Sequence, residues 1–243
     1  MPETWRLLTT WDGEPGFNMA LDEALFLHGG SHPTLRFYTW KPTALSLGYF
    51  QKIASVPQGQ RAALCVRRLT GGGAIYHSDE LTFSISAPLE HPLYRGEVKG
   101  SYERIHAALA QAFAEFDVDA KMRGESSLSS DSEDSVMCFH HSTPLDLVWG
   151  ARKGVGSAQR RSSGRVLHHG SIKFKATPFE PGVAGLHEHV PELAPAELAL
   201  CIQRHFAERF CLAFTPTEIQ PGEASHVRER APFFTSEEFV ASR

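Results

Sequence analysis

Three consecutive glycines, Gly71-Gly72-Gly73, separate two strand-like runs, Ala62–Arg67 and Ala74–His77. Each glycine loses more conformational freedom on ordering than any other residue. A triplet between strands therefore fits a backbone that must turn sharply or be approached closely with no side chain in the way. Free N–H groups in such a loop can hold a carbonyl, carboxylate or phosphate oxygen, and Arg67 and Arg68 just before it supply guanidinium donors for an anion. The segment is not a P-loop, because no Gly-Lys-Ser/Thr follows at the required spacing, and it lacks the G-x-G-x-x-G of dinucleotide sites. Taken alone it reads as well as a hairpin turn with solvated arginines as it does a ligand cradle.

The rest of the chain supplies the frame. Apolar residues recur at helical spacing at Phe17, Ala20, Leu21, Ala24 and Leu25. They do so again from Ile105 to Phe116, with Ser101 as N-cap, and from Leu198 to Phe210, entered through Pro195. Strand-like runs lie at Thr34–Trp40, Ala44–Tyr49, Ala62–Arg67, Ala74–His77, Leu81–Ala87, Asp146–Ala151 and Arg165–Phe174. Strands outnumber helices and many connections are short, which predicts an α+β fold: a mixed, mostly antiparallel sheet with packed helices. At 243 residues and 42% hydrophobic the chain can bury one sizeable core, so 1–243 is read as one catalytic domain, with 175–243 its C-terminal helical part. Gly124–Ser135 (GESSLSSDSEDS) has almost nothing apolar and is expected to be a mobile loop.

Net charge of −4 and a pI near 6.3 argue against nucleic acid as a partner. The chain shows no signal peptide and no run of the roughly 18 apolar residues that span a bilayer; a cytoplasmic location with no membrane association is expected. Cys65, Cys138, Cys201 and Cys211 have no C-x-x-C spacing and read as reduced thiols. His140-His141 and His168-His169 lack the spacing of a helical metal site, so no metal is expected.

Two further segments carry chemistry. Lys153 opens a Gly/Ser/Ala run, Gly154 to Ala158, and is placed to enter a cleft, either as a cation facing a carbonyl or as a base of lowered pKa. Cys65, Cys201 and Cys211 look like inert core thiols. Cys138 instead follows the polar loop and has His140 and His141 beside it, whose imidazolium would favour the nucleophilic thiolate. His77 by itself is more often structural than catalytic.

Together these segments resemble the catalytic domain shared by lipoate–protein ligases, octanoyltransferases and biotin ligases. Arg67-Arg68-Leu69-Thr70-Gly71-Gly72-Gly73-Ala74-Ile75-Tyr76-His77 is similar to the R-R-x-T-G-G-G-x-x-x-H loop of the lipoate and octanoate branch. Lys153-Gly154-Val155-Gly156-Ser157-Ala158-Gln159 is similar to its K-x-x-G-S-A-Q element, and His169-Gly170-Ser171-Ile172 to the strand that follows. Asn18-Met19-Ala20-Leu21-Asp22-Glu23 resembles the first helix, and Leu35–Tyr38 with Ser46–Gln51 the paired strands. The likeness is strongest over 18–174. Cys138-Phe139 stands where the cysteine-dependent, ligase-like octanoyltransferases carry their nucleophile, and only about seventy residues follow Phe174, little room for the extra domain many ligases carry.

The resemblance implies a ping-pong acyl transfer without cofactor. Cys138 takes an octanoyl or lipoyl group from acyl carrier protein and passes it to a lysine of a lipoyl domain of a 2-oxoacid dehydrogenase, or of the glycine cleavage H protein. It makes Cys138 and Lys153 catalytic, and assigns substrate binding to Arg67, Arg68, Thr70, Gly71, Gly72, Gly73, His77, Gly156, Ser157, Ala158, His169 and Gly170. Three alternatives stay open: an ATP- and lipoate-dependent ligase with an adenylate held by Arg67, Arg68 and Lys153; an amidotransferase between carrier domains; and a non-catalytic module that binds lipoyl domains or acyl groups.

Overall fold

The computed structural model describes residues 1–30, 32–61 and 64–243. Eleven strands and five α-helices are assigned within them. In chain order these begin with β1 (Glu3–Gly13), α1 (Pro15–His28), β2 (Thr34–Trp40), β3 (Ala44–Leu47), β4 (Cys65–Arg67), β5 (Ile75–His77) and β6 (Glu80–Pro88). There follow α2 (Val98–Ala114), β7 (Lys121–Met122), β8 (Leu147–Trp149), β9 (Arg152–Ser162) and β10 (Arg165–Lys173). The chain closes with α3 (Pro195–Phe210), β11 (Leu212–Pro216), α4 (Pro221–Thr235) and α5 (Glu237–Val240). Eight strands form one sheet in the order β11-β1-β2-β6-β10-β9-β8-β7, parallel at β11-β1-β2 and antiparallel elsewhere; β4-β3-β5 form a small second sheet. This is the mixed, mostly antiparallel sheet with packed helices that the pattern predicts.

Strand alternation gives the large sheet two unlike faces. Leu35 and Phe37 of β2, Phe83 and Ile85 of β6, and Ile172 of β10 pack with α2 and α3 in one apolar core. The opposite face carries Arg36, Tyr38, Trp40, Thr82, His169, Ser171 and Lys173. It is covered by α1, α4 and the small sheet, which contribute a second core around Leu21, Leu25, Val227 and Phe234. Most of the candidate site residues lie on this second face or on the elements that cover it.

α1 sits on it because its inward side is polar. The fully buried guanidinium of Arg36 donates to Asp22 Oδ1 (2.7 Å), Asn18 Oδ1 (2.6 Å) and Thr10 Oγ1 (2.8 Å), and Tyr38 Oη donates to Asp22 Oδ2 (2.9 Å). Arg36 and hydrogen bonding to His169 hold the Asp22 carboxyl below its ordinary range, against the burial that would raise it. On the outer side Glu23 receives His226 (2.8 Å) and Arg230 (2.7 Å) of α4. The Asn18, Asp22 and Glu23 of the helix motif thus serve as fasteners.

Several local expectations are corrected. Ser101 is not the N-cap of α2, which starts three residues earlier after Glu97. Its hydroxyl donates to Val98 O (2.6 Å) and accepts from Gln159 and Arg161 of β9. β4 begins at Cys65; Ala62 and Ala63 of the expected strand lie outside the described residues. The Gly/Ser/Ala run Gly154 to Ala158 lies inside β9 in the interior of the sheet, where Gly154 leaves room for the Trp149 ring. Strands β1 and β11 are not among the expected strand-like runs. The 124–135 loop has no helix or strand, yet Leu128 and Ser130 are buried, and Ser130 Oγ accepts from Lys153 N (3.1 Å).

Burial and Glu115 push the Cys201 thiol up to about 11, as suits an inert thiol, whereas Cys211 is exposed rather than in the core. Cys201, His205 and Glu115 do converge, but Arg204 holds both oxygens of Glu115 (2.9 and 2.6 Å), which makes the group an ion pair. Among the described residues no helix is long and apolar enough to cross a membrane.

The α2–β9–β10 side buries two histidines. His106 Nδ1 donates to Leu145 O (2.5 Å), so Nε2 accepts from the Ser157 hydroxyl (2.6 Å); burial pulls its pKa down to about 4, and that of the neighbouring His168 well down. A histidine whose folded pKa lies below its unfolded value contributes stability that is complete above pH 6.5 and is lost as the pH falls through 4. From His106 alone the loss amounts to about 3 kcal/mol. The urea midpoint is therefore expected to fall between pH 7 and pH 4.5 more steeply in the wild type than in His106→Gln, measured by circular dichroism; parallel slopes would contradict the assignment.

Candidate active site

The polar face of the large sheet, α1 and the β4–β5 loop enclose a narrow cleft of about 420 Å³, counting its open mouth. Its walls include Met19, Tyr38, Trp40, Ile75 and Ala158, with Cys138 beside Gly72 and Gly156 at one end. The wall side chains that carry polar atoms have them engaged elsewhere: Tyr38 Oη on Asp22, and Trp40 Nε1 on Thr82 Oγ1 (2.8 Å). What faces the cleft is largely carbon, and a ligand filling it has to be apolar.

Cys138 opens a 3₁₀ turn, Cys138–His140, whose position is set by the glycine loop. Ala74 N donates to Val136 O (3.0 Å) and Cys138 N to Ala74 O (2.7 Å), a short bridge that lays the 136–138 segment along the loop. A Cβ on Gly73 would stand 2.7 Å from Val136 O and 2.9 Å from Cys138 N. Gly72 takes φ +95°, with Cys138 Sγ 4.0 Å from where its Cβ would be. The glycines are thus demanded by a second segment of backbone, and the thiol lies against them as a result. Among the described residues the N–H groups of Gly71, Gly72 and Gly73 donate to no protein acceptor.

Lys153 comes from β9. Its buried ammonium reaches Cys138 O (2.8 Å), His141 O (3.0 Å), Asp146 Oδ2 (3.0 Å) and, more distantly, Cys138 Sγ (3.7 Å). Burial alone would lower its pKa, but the charges at Cys138 and Asp146 outweigh that and raise it. Lys153 is therefore a standing cation, and the alternative of a base of lowered pKa is not realised. With three protons and three oxygen partners it has none left over for a substrate carbonyl. Asp146, which the sequence reading did not single out, is its buried counter-ion and also accepts from Thr143 N (2.7 Å). The available signal was an acid seven residues before the lysine at the edge of an apolar run.

The expected imidazolium neighbours of the thiol are absent from it. His140 is held by Ser135 Oγ (2.7 Å) and Pro181 O (3.3 Å), and His141 by Ser135 O. The cations near Cys138 are Lys153 and, across Gly72, Arg68.

The arginine pair separates. Arg68 donates to Ser46 O (2.8 Å), Ser46 Oγ (2.9 Å), Gly71 O (2.9 Å) and Gly73 O (2.7 Å), lining the cleft while it staples the glycine loop. Arg67 does not line the cleft; it donates to Gly48 O, Gln51 O, Phe239 O and Val240 O, tying α5 to the β3 side. His77 forms a wall, stacked on Trp40 at 3.8 Å and held by Glu80 and Ser46 (2.7 Å each). Burial lowers its pKa despite Glu80. Thr70 Oγ1 meets His169 Nε2 (2.6 Å), whose Nδ1 faces Asp22 (3.5 Å). Ala158 and Gly156 face the cleft side, and a Cβ on Gly156 would stand 3.5 Å from Cys138 Sγ. Ser157 and Gly170 reach the cleft through backbone only, because the Ser157 hydroxyl and the open side of Gly170, against Phe83, belong to the other face.

The glycines are predicted to differ in tolerance. A Cβ on Gly71 would meet only Phe50 at 4.0 Å, so Gly71→Ala should leave stability and thiol alkylation close to wild type. Gly73→Ala should cost about 1–3 kcal/mol and change the alkylation rate of Cys138. Thermal melts and iodoacetamide kinetics followed by mass spectrometry check both; equal effects would refute the close-approach role.

Comparison with known proteins agrees with this architecture. Residues 14–181 match the family model described as the lipoyl protein ligase A/B catalytic domain. Octanoyltransferase LipM of Moorella thermoacetica is 42% identical over 177 residues, covering 70% of this chain and 65% of that protein, so the chain spans just under two thirds of its length. Octanoyltransferase LipM of Staphylococcus aureus is 29% identical over 99% of both chains. Among solved structures, protein Ta0514 of T. acidophilum with bound lipoic acid superposes with a TM-score of 0.77 at 25% identity over 98% of this chain and 99% of that one. With its mixed sheet, glycine loop and buried lysine in place, this chain belongs to the lipoyl protein ligase A/B catalytic domain family.

Proposed function

We propose that the protein is an acyltransferase that moves an octanoyl group from acyl carrier protein, through a Cys138 thioester, to a lysine of a lipoyl domain or glycine cleavage H protein. The observation that carries this reading is the Cys138 thiol at the end of an apolar cleft, 3.7 Å from a buried ammonium. The names of the relatives point the same way.

In the first step Cys138 Sγ bonds to the thioester carbonyl carbon. The bond to the carrier sulfur breaks, and the carrier leaves as a thiol after taking up the proton. In the second step the neutral ε-amine of the acceptor attacks the acyl-enzyme, the bond to Cys138 breaks, and the amine loses its proton as the amide forms. Oxygen charge develops in both steps beside the free N–H groups of the Gly71–Gly73 loop, the arrangement that stabilises an oxyanion most effectively when it is fixed beforehand. Lys153 keeps the Cys138 turn in place and balances the thiolate. Neither step uses ATP, a metal or another cofactor. Use of an adenylate is disfavoured by Arg67 and Lys153, whose donors are spent on protein oxygens.

Intact mass spectrometry with octanoyl-acyl carrier protein and no ATP tests the reading. An octanoyl adduct is expected on the wild type, absent from Cys138→Ser, and discharged by an apo lipoyl domain. Acylation of the domain only when ATP and lipoate are supplied would show a ligase. The apolar walls add a second expectation: at about 0.8 kcal/mol per buried CH₂, kcat/KM for acyl donors should rise roughly fourfold per methylene from C4 to C8. A flat series would remove the cleft as the acyl site.

A further inference from the structure

The outer side of the glycine loop carries a feature that the acyl cleft does not use. Arg160 of β9 lies on the same strand face as Gly156 and Ala158, farther toward solvent. Its guanidinium sits over the Tyr49 ring at 4.8 Å and donates to Leu69 O (3.1 Å). Arg243 approaches the same ring at 5.1 Å and donates to Tyr49 Oη (3.3 Å). Next to them Phe50 is 77% exposed, standing over Gly71 at the mouth of the cleft. Among the described residues neither guanidinium pairs with a carboxylate. Two like charges thus converge on one tyrosine in a chain whose net charge is −4, which leaves a local demand for an anion.

The spacing matches one kind of anion. Gly156 marks the thiol, and four residues of strand at about 3.3 Å each place the backbone of Arg160 about 13 Å from it, with its side chain free to reach a few ångströms either way. A pantetheine arm, with its two amides, has the backbone length of about four residues, roughly 14 Å extended, and bears a phosphodiester at the end away from its thioester.

We propose that Arg160, with Arg243 beside it, docks the phosphodiester of the pantetheine-linked acyl donor, with Phe50 flanking the arm on its way to Cys138. The inference rests on the transferase reading and adds a subsite to it. It gives the enzyme a way to favour a phosphopantetheine thioester over a plain one before the acyl chain enters the cleft.

The test measures kcat/KM for acylation of Cys138 by octanoyl-4′-phosphopantetheine and by octanoyl-pantetheine. The phosphorylated donor should be preferred by about tenfold, the scale of one charge-assisted hydrogen bond. The preference should shrink toward one in Arg160→Gln, survive mostly in Arg160→Lys, and weaken in 0.5 M salt because the site is open to solvent. No preference in the wild type, or an undiminished one in Arg160→Gln, would overturn the subsite while leaving the transferase reading intact. Failure of both thioesters to acylate Cys138 would overturn both.

Discussion

An ammonium taken out of water has to be neutralised and hydrogen-bonded, and the way this is done at Lys153 organises the site around it. Asp146 provides the counter-charge, and the carbonyls of Cys138 and His141 take the remaining protons. Removing one partner from such a buried pair commonly costs several kcal/mol, because an uncompensated charge remains. The 138–141 turn therefore cannot drift from β9 without exposing the ammonium to that penalty. The same contacts hold the thiol at the cleft, so the interaction that fixes the structure also fixes the chemistry.

Arg68 does for the glycine loop what Lys153 does for the cysteine turn. Its donors reach two carbonyls of the loop and both oxygens of Ser46, and the loop in turn hydrogen-bonds the 136–138 segment. The cations around the cleft are thus mostly internal braces. A site built this way presents little free positive charge within the cleft. Free cationic groups appear outside, at Arg160 and Arg243, where a solvated anion could be met at small desolvation cost.

How much of this was legible in the residues depends on the range of the cause. Strand alternation in Leu35–Trp40 and Arg165–Lys173 separates an apolar from a polar face, and that local periodicity is enough to predict a sheet with helices packed on it. Gly71–Gly73 and Lys153 announce themselves by composition. Arg67 and Arg68, adjacent and chemically identical, could not be told apart. Successive residues of a strand point to opposite sides, and only the packing of α5 against β4 shows that Arg67 serves carbonyls there. Ser101 has the local pattern of a cap, but its hydroxyl serves Gln159 and Arg161, which lie about sixty positions away in the chain. His140 and His141 were credited to the thiol for being next to it in the chain, whereas the 3₁₀ turn directs them to Ser135 and Pro181.

The sequence by itself determined the class of the fold and the family, because these depend on local pattern and residue type. The tertiary structure decided which cation attends the thiol, that Asp146 belongs to the site, that Ser157 faces away from it, and that Gly73 is needed for a segment more than sixty positions along the chain. Those are questions of distance between parts remote in sequence, and only folding brings the parts together.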